Sequence, residues 1–445
     1  MKKTRIIFLF FLSVFLISSF NATAFAERLA EREILPNGII LLHSEKKALP
    51  IVTVVFAIKA GSVVEPPEKA GLANLTADLL NEGTSRRTSK NISDEIEFVG
   101  GSLSTSGGSD YMTVSLSILK KDLELGFDLL SDIILNPSFS QEEINRRKKV
   151  IKSSIIQQNE EPGIVASRAF SKAVFGEHPY GRPAEGTLET LDNITRQDIV
   201  DFHSSYYAPN NTFMAVVGDI TGNELKPLID KYFKIWQKKE IKFHDMSVPK
   251  SGSKAEVIKI NKNITQANII LGHLGIKRDD PDYYAVSVMN YILGGGGFAS
   301  RLMDSIRDNK GLSYDVHSYF SASKYSGSFQ VVLQTKNNSA NEAINEILKE
   351  MDRIRTEKVS DKELDNAKLY LTGSFPLRID SNRKIAAFLI AVEFYDLGLD
   401  YVDDYKKFIE AVSKDDLLRV ARKYLDTKNY ILVIVGDIEK AALLP

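Results

Sequence analysis

Six histidines, His43, His178, His203, His244, His273 and His317, are the only imidazoles in the 445-residue chain, and cysteine is absent. The missing thiols exclude disulfides, thiolate metal sites and cysteine nucleophiles. A helical metal site built on histidine needs two of them three or four residues apart, so that both fall on one face. No pair has that spacing. Each histidine therefore reads as a surface residue or a hydrogen-bonded core residue, and His178, within HPYGRPAEGT, as structural. Gly294 to Gly297 invite a phosphate-binding reading, but such a loop continues into Gly-Lys-Ser/Thr. This one continues into Phe298-Ala299-Ser300-Arg301. A connection between helices that needs positive φ is the plainer reading. The basic run Arg146-Arg147-Lys148-Lys149, in a helical stretch between acidic neighbours, reads as a solvated face.

The elements that must position these residues belong to an ordinary globular protein, 43% hydrophobic and 26% charged. With 57 Lys and Arg against 58 Asp and Glu, there is no basic excess for nucleic acid. At the start, Lys2, Lys3 and Arg5 precede a largely apolar run of 15 residues, Ile6 to Phe20, and a small-x-small end at Ala24-Phe25-Ala26. That pattern is a signal peptide over residues 1–26, which places the protein in the periplasm. The run falls short of the about 20 residues a spanning helix needs, so no stable membrane anchor is expected.

Beyond it the chain repeats itself. Ile194 to Ile220 aligns without gaps on Val412 to Ile438, with Asp198/Asp416, Tyr206/Tyr424, Asn211/Asn429 and the two VGDI endings identical. Phe139 to Ile155 pairs with Val359 to Phe375. Within one copy, the runs from Ile51 and Tyr111 are β-rich, while those from Asp122 and from Glu142 to Gln158 have helical spacing. Ser140, Thr195 and Ser360 are placed as N-caps. The expected fold is α+β, with two homologous halves of roughly 210 residues. Each is a mainly antiparallel sheet backed by helices on one side. The halves would be 27–240 and 255–445, joined by a polar linker over 241–254.

The motifs between these elements are specific together. AGSVVEPPEKAGLANLTADLLNEGT, from Ala60 to Thr84, is similar to AGSRxExxxxxGLAHxxEHMxxxGT of the pitrilysin/insulinase family of inverted-motif zinc peptidases. HPYGRPAEGT from His178, YYAPNN from Tyr206 and VVGDI from Val216 extend the resemblance. It implies the processing-peptidase-like fold. In an H-x-x-E-H helix two histidines bind zinc and the glutamate is general base, and in that family a glutamate about 76 residues further on completes the ligands. The aligned positions here are Asn74, Ala77, Asp78 and Ser154, which replace the zinc ligands and the base. Alanine cannot take a proton, and neither Asn nor Asp offers nitrogen ligation. No metal is therefore expected in this chain.

The second half carries a different signal. NYILGGGGFASRLMDSIRDNKGLSYDVHSYF, from Asn290 to Phe320, resembles the family's GGGxxSRLxxxIRxxxGLxYxVxS, in which an Arg and a Tyr seven residues apart contact substrate beside the zinc. Arg307 and Tyr314 match as substrate-binding residues, and the glycine run would border the substrate chamber. Some exported bacterial members work as two chains. The resemblance thus implies a catalytically incomplete subunit that pairs with an HxxEH-bearing homologue, zinc residing in the partner, to degrade or process peptides. The alternatives are a non-proteolytic scaffold or peptide-binding protein of the same fold, and a peptidase with ligands remodelled at Asn74 and Asp78.

Overall fold

The computed structural model describes residues 28–441 except His244, Asp245, Ser247, Ser251 and Ser253. The expected signal peptide and His244 lie outside the described residues. Within them, no helix is long and apolar enough to cross a membrane.

Two sheets organise the chain. The first has six strands: β1 (Glu31–Ile34), β2 (Ile40–Glu45), β3 (Ile51–Ile58), β4 (Ser102–Ser106), β5 (Met112–Leu119) and β6 (Thr212–Gly218), in the order β1-β2-β6-β3-β5-β4. The second has five: β7 (Glu256–Asn261), β8 (Gln266–Leu274), β9 (Val316–Ala322), β10 (Gly327–Lys336) and β11 (Ile431–Gly436), in the order β7-β11-β8-β10-β9. Apart from β1, the topologies are the same. β6 runs parallel to β2 and antiparallel to β3, as β11 does to β7 and β8. The sequence repeat is thus a structural repeat. The last helix of the first half is Gly222–Phe233, and among the described residues no helix or strand intervenes before β7.

Six helices position the candidate site or join the halves: α1 (Leu72–Leu79), α2 (Gln141–Gln158), α3 (Pro162–Phe175), α4 (Ala340–Thr356), α5 (Asp361–Ser374) and α6 (Asn382–Phe394). Their starts depend on caps. Ser140 accepts the Glu143 N–H ahead of α2 and Ser360 the Glu363 N–H ahead of α5, as Thr195 accepts that of Asp198.

The expectation of helices on one side of each sheet needs correction, because each half lends a helix to the other. α3 lies on β8 and β11, setting Ala166, Phe170 and Val174 against Ile270, Val433 and Val435. α6 lies on β3 and β6, setting Ile385, Leu389, Ile390 and Phe394 against Val55, Phe213 and Ala215. The reason is visible in β6, whose residues are buried without alternation. A strand apolar on both sides must be covered on both. β5, by contrast, alternates buried and half-buried residues.

Candidate functional site

α1 begins at Gly71, where φ is 98° and a Cβ would sit 2.7 Å from the Glu185 carbonyl oxygen. Only glycine fits such a position. The first turn is capped from a distance by Glu65, which is buried and accepts the N–H groups of Gly71 at 3.0 Å and Ala73 at 2.9 Å. Burial pushes this carboxyl up to about 8, against the opposing pull of those N–H groups and of Arg182.

Asn74 and Asp78 share the half-buried face of α1, while Ala77 is fully buried. Asn74 Nδ2 stands 3.5 Å from Asp78 Oδ2. Gly107, between β4 and β5, packs so closely that a Cβ there would come within 2.6 Å of Asn74 Cα. From α2, Arg147 donates to Asp78 Oδ2 through Nε at 3.0 Å and Nη2 at 2.8 Å. Burial raises the Asp78 carboxyl, and the Arg147 hydrogen bond and charge pull it back. Ser154, two turns beyond Arg147, is exposed and accepts from Gln158 at 3.3 Å. The basic run is therefore not wholly solvated: Arg147 turns inward, because a half-buried carboxylate demands a partner.

Arg307 belongs to a π-helical turn, Met303–Asn309, and Tyr314 to the turn before β9. The Arg307 guanidinium carbon lies 4.6 Å from the Phe298 ring centroid, and Nη1 is 3.7 Å from its neighbour Asp308. Tyr314 is 88% exposed and Phe298 72%. The Ser313 hydroxyl, 2.8 Å from the Gln334 carbonyl and 2.6 Å from that of Asp315, ties the Tyr314 turn to β10. A second π turn, Tyr291–Gly295, leads through the glycine run to Gly297 at φ 56°. The positive-φ connection is thus present at Gly297. Gly294 has another reason, since a Cβ there would lie 2.5 Å from Ser318 Oγ on β9. Among the described residues, no hydrogen bond or ion pair joins Arg307 or Tyr314 to Asn74, Asp78 or Ser154.

Comparison with known families matches residues 40–188 to "Insulinase (Peptidase family M16)" and residues 193–371 to "Peptidase M16 inactive domain". The chain belongs to the M16 peptidase family. An uncharacterized zinc protease of Bacillus subtilis is 26% identical over 400 residues, 90% of this chain and 96% of that protein. One of Streptomyces coelicolor is 26% identical over 408 residues, 91% and 89%. The crystal structure of a peptidase M16 inactive domain from Pseudomonas fluorescens is 28% identical and superposes with a TM-score of 0.85, covering 92% of this chain and 98% of that one. A Helicobacter pylori protease, 21% identical, shares the fold at a TM-score of 0.85 over 92% of this chain and 99% of its own.

Set against a zinc site of M16 type, the side chains on α1 do not fit. One position offers a carboxamide, one a methyl group, and the one carboxylate is held by a guanidinium. Among the described residues, no group of three or more His, Asp or Glu side chains could hold a metal ion. The described histidines do other work. His43 and His203 contact the carbonyls of Ile220 and Ile134, each at 2.9 Å, and burial brings His203 down to about 4. His273 accepts the Asp426 N–H at 3.1 Å. His178 accepts the Tyr180 N–H at 3.1 Å and starts a short turn. His317 stacks on Tyr319 at 5.7 Å near the surface.

Sequence reasoning missed Arg147. Its spacing of seven from Ser154 puts both on one face of α2, but nothing in that spacing says that α1 is what Arg147 meets.

Proposed function

We propose that this chain is the catalytically incomplete subunit of a heteromeric M16 metallopeptidase of the periplasm. Its partner would be an HxxEH-bearing homologue and its substrate a peptide. The partner would hold the zinc, whose chemistry is Lewis-acid polarisation of a carbonyl and of a bound water. This chain would contribute Arg307, a fixed fork of donors, and Tyr314, a phenol able to donate to an oxygen as charge develops on it. The observation that carries the reading is an asymmetry. On α1 the one carboxylate is tied to Arg147, whereas the Tyr314 hydroxyl is exposed and has no partner among the described residues. A donor that satisfies nothing within its own chain is available to another molecule.

The reading is tested by pulling the tagged protein from its native periplasm and assaying the eluate for zinc and for cleavage of a fluorogenic peptide. Recovery of a zinc-bearing homologue, with activity that neither chain has alone, is the expected result. A solitary, metal-free and inert protein would make it a scaffold or peptide-binding protein instead. Stoichiometric metal in the pure chain would favour ligands remodelled at Asn74 and Asp78.

A further inference from the structure

The turn that carries Arg307 is held at two points by a buried carboxylate, and Lys310 beyond it also donates to Glu342 at 3.0 Å. Glu346, on α4 and 4% exposed, accepts the Ser305 hydroxyl at 2.5 Å on Oε1, and its Oε2 lies 3.0 Å from Lys310 Nζ. Ser305 and Lys310 bracket Arg307, two residues before it and three after. Lys349 adds a bond at 2.7 Å; burial opposes the charge, yet these three donors bring the carboxyl down to about 2. The entry to the turn is held as well, because Arg301 pairs with Glu363 through Nε at 2.7 Å and Nη2 at 3.2 Å.

Irregular winding makes such a grip consequential. A π turn takes in more residues than an α turn, and relaxing it by one residue would swing the following side chains by about 100° around the axis. A buried charge adds little net stability over an apolar residue of the same size. What Glu346 adds is a fixed separation between residues 305 and 310. Phe298 then stands against the guanidinium from the glycine run, 4.6 Å away.

We infer that Glu346 is a positioning residue, which grips the Met303–Asn309 turn at Ser305 and at Lys310 just beyond it, and thereby sets where the Arg307 guanidinium stands. The inference rests on the proposal that Arg307 meets substrate in the assembled peptidase, and its test separates the two. Glu346→Gln keeps the size of the side chain and removes its charge. In the isolated chain, amide hydrogen exchange over residues 303–312 should quicken several-fold while other segments keep their rates. Unchanged exchange there would overturn the grip, whatever becomes of the partner. In the complex with a zinc-bearing homologue, Glu346→Gln should lower kcat by about ten- to 10²-fold, the cost typical of a misplacement near 1 Å, with KM little changed. In an Arg307→Ala background the same substitution should cost nothing more. A full additional loss would show that Glu346 does not act through Arg307. Should Glu346→Gln fail to fold, Ser305→Ala, which removes the hydroxyl that Glu346 accepts, is read in the same way.

Discussion

At the scale of single residues, Asp78, one of the positions that the motif resemblance sets against a zinc ligand, is paired with Arg147 from α2. Arg147 satisfies Asp78, so Arg147→Ala leaves a half-buried carboxylate without its cation and is expected to cost about 2 kcal/mol in urea denaturation. The double variant Asp78→Leu/Arg147→Met should recover most of that loss, since neither charge then needs the other. Glu65 gives a pH dependence of definite sign. Its carboxyl titrates near 4.5 when exposed and near 8 in the fold, so between those values the native state holds a proton that the unfolded chain has released. Its contribution is complete below about 4.5 and fades as pH rises to about 8. Denaturation at pH 5 and pH 8 should show wild type losing stability across that window, and Glu65→Gln should lack that component. The shared face of Asn74 and Asp78 was legible from spacing alone, because helical periodicity fixes it. The approach of Arg147 was not, since the pairing of two helices comes from packing rather than from either helix's own pattern.

Among the elements, the exchanged helices α3 and α6 carry the joint between the halves. Phe170 is buried against Ile270 and Val433, strand residues that belong to the opposite half. Phe170→Ala should therefore cost about 3–5 kcal/mol, and hydrogen exchange should quicken first in β8 and β11 rather than in α3's own half. Leu389→Ala, about 2–5 kcal/mol, should do the mirror image, loosening β3 and β6. Caps could be read in advance, as Ser140, Thr195 and Ser360 show, because they depend on neighbours three residues away. The exchange could not. An apolar face on α3 says that something covers it, and nothing in its periodicity says that the cover lies in the other half of the chain.

For the whole molecule, the duplication was plain in the sequence, and the two sheets share one topology because the repeated segments form equivalent elements. The reciprocal loan of helices makes the halves interdependent. Separately expressed pieces, residues 27–240 and 255–445, should each expose an apolar sheet face and aggregate, while co-expression should yield a soluble pair that elutes together on gel filtration. The proposed partner rests on what the motifs imply: the resemblance assigns substrate contact to Arg307 and Tyr314 and zinc ligation to positions that Asn74, Ala77, Asp78 and Ser154 occupy here, which is half of a site. Reconstitution tests that most directly. The purified chain is mixed with a purified zinc-bearing homologue, and cleavage of a fluorogenic peptide is compared for wild type and Tyr314→Phe. The account predicts activity only on mixing, and a loss of about 10²- to 10³-fold without the hydroxyl. Equal rates for Tyr314→Phe and wild type, or full activity from the homologue alone, would contradict it.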